Sequence, residues 1–125
     1  MFSWFSKSPS PVKPLPLSRR QKSYSAVSGF VYQYIFSGLA GSQHVFRVSA
    51  GRQASFELRI DLGEDALRPC SERMGSELRW NEKYALAKLC LFACLDAASS
   101  PDELRQVIRP AAAELLEHMN TLNMA

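Results

Sequence analysis

Phe56-Glu57-Leu58-Arg59-Ile60-Asp61-Leu62 alternates apolar and charged side chains along its whole length. Side chains two apart on an extended chain share a face. Phe56, Leu58, Ile60 and Leu62 therefore point one way, and Glu57, Arg59 and Asp61 the other. The stretch predicts a strand with one buried and one wet face, as in an antiparallel sheet covered on one side.

Two more strands are expected upstream. From Gly29 to Ser37, Phe30, Tyr32, Tyr34 and Phe36 alternate with Val31, Gln33 and Ile35. Aromatic and β-branched residues at period two favour a strand. Residues 38–42 (Gly-Leu-Ala-Gly-Ser) supply a turn, His44 to Ala50 a second strand, and Gly51-Arg52-Gln53 a further turn. Such short links predict an antiparallel meander of three strands.

Downstream the pattern becomes helical. Residues 64–75 predict one short helix, interrupted by Pro69 and Gly75. A helix from Asn81 to about Ala98 is apolar nearly all round, so it is expected at the centre of the core. Ser100-Pro101-Asp102-Glu103 has the form of a capping box with proline at the first helical position. The stripe Leu104, Val107, Ile108, Ala111, Leu115, Leu116, Met119 and Leu122 then predicts a last helix, kinked at Pro110. The expected fold is α+β: a three-stranded antiparallel meander followed by two or three C-terminal helices packed on one sheet face.

The chain has 125 residues, 46% hydrophobic and 22% charged, as in an ordinary globular protein. Residues 1–24 read as a disordered, Pro/Ser-rich basic tail, and 25–125 as a single α+β domain. Lys7, Lys13, Arg19, Arg20 and Lys22 are the only charges in residues 1–30. The remainder carries 10 basic against 12 acidic residues, a net of −2. The basic character thus belongs to the tail, and the overall charge of +3 argues little for nucleic-acid binding by the domain. Proline-rich sequence follows Lys7 where the apolar run of a secretory leader would lie. The longest apolar run, Tyr84 to Ala98, contains Lys88 and Asp96, so no transmembrane segment is expected. Three cysteines in so short a chain do not suggest a disulfide framework, and a cytoplasmic setting is expected.

Chemistry is thinly represented. Cys90 and Cys94 share a helix face but have no second ligand pair in the sequence, so they read as packing residues. Cys70 would be activated only at a helix N-terminus and beside a base. Asp61, Glu64 and Asp65 lack the spacing of a calcium loop and suit a helix start. No catalytic residue, cofactor or metal is expected, and the chain reads as non-enzymatic.

The first predicted strand carries apolar residues on both faces. Whichever face is buried, the other shows Val31 and Ile35 or the row of rings, and in a meander this strand is also an edge. The expected function is that of a small binding or interaction module. Its contact residues would be Phe30, Val31, Tyr32, Tyr34, Ile35 and Phe36, and its partner a protein or a second copy of the chain. The alternative is nucleic-acid binding, with Arg19, Arg20 and Lys22 on phosphates and Arg47, Arg59, Tyr32 and Tyr34 on bases. Phe2, Trp4 and Phe5 stand ahead of the basic residues, but peripheral membrane contact is not expected.

Overall fold

The computed structural model describes residues 20–104 and 107–124. It is α+β, with five strands in one mixed sheet. The elements are β1 (Lys22–Ser25), β2 (Val31–Ala40), β3 (Gln43–Ala50), β4 (Phe56–Asp61), α1 (Glu64–Met74), α2 (Trp80–Ala97), a 3₁₀ turn (Pro101–Leu104), β5 (Val107–Ile108) and α3 (Ala112–Thr121). Spatial order in the sheet follows chain order, β1-β2-β3-β4-β5.

The predicted meander is β2-β3-β4, antiparallel throughout. Its first hairpin is tighter than the glycines suggested. Only Gly41 and Ser42 lie between the paired residues Ala40 and Gln43, and Gly41 takes the left-handed φ of 64° that such a turn needs. Gly38 is not part of the turn. The register slips between Phe36 and Gly38, and Gly38 sits at φ 134°, so this glycine makes a β-bulge within a longer strand.

Two strands were not expected. β1 pairs antiparallel with β2, Tyr24 facing Tyr32 and Lys22 facing Tyr34. The tail boundary at residue 24 therefore falls inside a strand, and β2 is not an edge. The rest of the tail reading, over residues 1–19, lies outside the described residues. β5 pairs parallel with β4, through Arg59–Val107 and Ile60–Ile108. It occupies the middle of the stripe read as one kinked helix. Pro110 separates β5 from α3 instead of bending a continuous helix. The capping-box residues make only a 3₁₀ turn, with Glu103 reaching back to the Ser99 N–H at 3.0 Å. Val107 and Ile108 are β-branched and lose little by leaving the helix for the edge of β4.

α1 forms despite Pro69, which sits in its second turn. Gly75 ends it at φ 77°; its N–H bonds Glu72 O at 3.3 Å and the Ser76 N–H bonds Ser71 O at 3.2 Å, the Schellman pattern. α2 starts at Trp80, where the Glu82 carboxylate accepts a 2.7 Å bond from the Arg79 N–H.

α2 packs on one face of the sheet, and α3 packs against α2 and α1. That face presents Tyr32, Tyr34 and Phe36 from β2, His44, Phe46 and Val48 from β3, and Leu58 and Ile60 from β4, all buried. Leu86, Ala87, Leu91 and Leu95 of α2 and Leu115 and Met119 of α3 meet them. Phe36 lies 5.0 Å from Tyr84, and Tyr34 makes an edge-on contact with Phe92 at 5.6 Å. The aromatic row thus goes inward, because only the helix-covered face can bury so much ring area. Val31, Gln33 and Ile35 point outward.

Candidate functional site

The residues expected to make contact divide between the two faces. Tyr32, Tyr34 and Phe36 lie in the core, so the expectation that these rings dock a partner or stack bases is corrected by their burial against α2. Phe30 and Val31 are exposed, at 37% and 47%, and Ile35 is half-buried. Val27, which the sequence reading passed over, is 84% exposed.

Val27, Phe30 and Val31 belong to the β1–β2 hairpin. Its loop is closed by the Ala26 N–H to Phe30 O at 2.8 Å and the Gly29 N–H to Ala26 O at 3.0 Å. Gly29 adopts φ 100°, which a side chain would disfavour. The loop is fastened to the last turn of α2. Asp96 accepts the Tyr24 hydroxyl at 2.6 Å and the Val27 N–H at 2.9 Å. Tyr24 also stacks on Phe92, with centroids 4.2 Å apart and planes within 3°. The apolar tip is therefore presented from a fixed support.

The outer face beyond this tip carries both signs of charge. Val45 is fully buried there, and its register partner Arg59 is tied to Glu57 at 3.1 Å and to Gln43 at 2.9 Å. Arg47 is exposed and donates to Ser55 at 3.3 Å. Of the phosphate-contact candidates, Arg20 is exposed, Lys22 lies half-buried on β1, and Arg19 lies outside the described residues.

A cleft of about 300 Å³ opens at the opposite end of the sheet. Ser42, His44, Glu64, Trp80 and Lys83 stand on its wall among Leu39, Gly41, Leu62 and Leu67. His44 is 3% exposed, and neither ring nitrogen has a hydrogen-bond partner. Burial, aided by the Lys83 charge, pulls its pKa down to about 4, so the ring is neutral at neutral pH. Both nitrogens are sealed from solvent, so the ring lines the cleft without presenting a donor or an acceptor to it. The sequence shows His44 as one strand residue; its meeting with Glu64 and Lys83 depends on how α1 and α2 pack.

The cysteines differ from one another. Cys70 lies inside α1 rather than at its start, is fully buried, and burial pushes its thiol up. The condition for an activated thiol at that position is not met. Cys90 faces α3, close to Glu114 and His118. The carboxylates at the end of β4 have ordinary partners. Asp61 accepts from Ser42 Oγ at 2.5 Å and pairs with Arg109 at 3.7 Å, and Asp65 pairs with Arg68 at 3.0 Å. Glu64 and Asp65 occupy the first turn of α1, where the helix dipole favours them. No helix among the described residues is long and apolar enough to cross a membrane.

No protein-family model, curated protein or solved structure matches this chain.

Proposed function

We propose that this chain is a small non-enzymatic binding module that associates with a second copy of itself through the β1–β2 hairpin and the adjoining outer face of β2. The observation that carries this reading is the exposure of Val27, Phe30 and Val31 on one clamped hairpin. They are three of the five large apolar side chains exposed among the described residues. Clustered apolar exposure marks contact surfaces more than scattered exposure does.

Three physical features support it. Asp96 already holds the loop, so docking orders little that is loose, and less of the contact energy is lost to entropy. The outer face bears Arg47 and Arg59 beside Glu57, a mixture that two-fold pairing can make self-complementary, whereas a face of one sign would repel its copy. Among the described residues β1 is an edge of the sheet, a position at which a second strand can add. The three free cysteines suit a reducing compartment, and we place the module in the cytoplasm on that ground.

The test is the solution mass of the full chain over a range of concentrations. Wild type is expected to shift from monomer to dimer. A Val27→Asp/Val31→Asp chain should remain monomeric while keeping its helical signal. A wild-type chain that stays monomeric throughout, or a doubly substituted chain that dimerises as well as wild type, overturns the reading. Association that weakens steeply with salt would point instead to charge-led contact through the basic residues.

A further inference from the structure

Cys90 on α2 faces Glu114 and His118, which lie one turn apart on α3. The Cys90 sulfur, a Glu114 carboxylate oxygen and a His118 ring nitrogen all lie within 4.8 Å of one another. Glu114 Oε2 and His118 Nε2 are 3.6 Å apart. His118 Nε2 is buried and has no hydrogen-bond partner, although it stands beside a carboxylate.

These distances suit one particular occupant. Zinc binds sulfur at about 2.3 Å and nitrogen or oxygen at about 2.0–2.2 Å, so tetrahedral ligand atoms stand about 3.3–3.8 Å apart. The Glu114–His118 separation of 3.6 Å already lies in that window. The 4.8 Å bound on the other pairs leaves at most about 1.5 Å to close, which side-chain torsions on two helices can supply. The donor set is also selective. Thiolate and imidazole suit zinc and its neighbours, whereas calcium and magnesium take oxygen alone.

We propose that Cys90, Glu114 and His118 form a zinc site that ties α3 to α2, with water in the fourth position. Cys94 lies one turn further along α2 and outside the group of three. Binding converts the Cys90 thiol to a zinc-bound thiolate and releases one proton to solvent. Without metal that proton is firmly held, because burial, with Glu114 and Cys94 nearby, pushes the thiol up to about 12. The metal would join elements separated in sequence by the 3₁₀ turn and β5. It would therefore hold α3 against α2, and because the unfolded chain lacks the site, its binding free energy would add to folding stability.

The experiment is cobalt and zinc titration of the full, reduced, metal-free chain. Wild type is expected to develop a near-ultraviolet sulfur-to-cobalt charge-transfer band with the visible bands of tetrahedral cobalt. Zinc should abolish both and raise the melting temperature. Glu114 is partly exposed, so Glu114→Gln should fold normally and bind zinc about tenfold or more weakly, as should His118→Gln. Cys90→Ser should lose the charge-transfer band, while Cys70→Ala keeps it. If Cys90→Ser does not fold, the Glu114→Gln and His118→Gln titrations decide. No charge-transfer band in wild type, or zinc affinity unchanged in both of those variants, overturns the proposal.

Discussion

The Tyr24 hydroxyl and the Val27 N–H both donate to the carboxylate of Asp96, at 2.6 and 2.9 Å. One side chain at the end of α2 thus holds the strand that begins the sheet and the loop that carries the exposed apolar tip. Asp96→Ala leaves both donors without their acceptor and should cost about 1–3 kcal/mol, measured by urea unfolding. Tyr24→Phe keeps the stack on Phe92 and should cost less.

The same pair gives a dependence on high pH. The hydrogen bond to Asp96, together with burial and the Asp96 charge, raises the Tyr24 phenol from 10.0 to about 12. Its folded pKa lies above its unfolded one, so the contribution is complete below pH 10 and is lost as pH rises towards about 12. Urea midpoints across that range should fall more steeply for wild type than for Tyr24→Phe. Equal slopes would remove Tyr24 as the cause.

His44 should set a slope on the acid side. Its folded pKa is near 4, below the ordinary 6.5, so the unfolded chain binds its proton first. Stability is complete above pH 6.5, falls as pH drops, and levels off below about 4. The size is on the order of 3 kcal/mol. His44→Leu should flatten this slope and be no less stable than wild type at neutral pH, since it removes two buried nitrogens without partners. A loss of several kcal/mol at neutral pH would mean that the ring is satisfied in solution.

Tyr32 is fully buried and its hydroxyl lacks a hydrogen-bond partner. Tyr32→Phe removes that oxygen and keeps the ring, so it should leave stability unchanged or raise it by up to about 1 kcal/mol. A thermal melt compared with wild type checks this. Destabilisation by more than that would show a partner for the hydroxyl in solution.

The sheet was legible wherever alternation was clean. β4 and the residue after it show it over Phe56 to Leu62, and their apolar residues do face the core. The two missed strands are short and carry little pattern. Lys22–Ser25 sits beside the proline-rich tail and resembles it in composition, while Val107–Ile108 fits a helical stripe equally well. What makes each a strand is the open edge beside it, a tertiary fact. The argument from two apolar faces on β2 pointed to exposed residues, and Val31 is one. It could not find Val27, because a valine in a loop has no periodicity to break. The Cys90 cluster was half visible. Cys90 and Cys94 share a turn spacing, as do Glu114 and His118, but nothing in the chain shows that those two helices meet.

The most direct measurement is amide hydrogen exchange, read by mass spectrometry, on the full chain at dilute and at high concentration. Self-association through the hairpin predicts added protection at high concentration in peptides covering Tyr24 to Ile35, and none in peptides covering α1. Identical exchange in the hairpin at both concentrations, or protection gained only over α1 and α3, would contradict it.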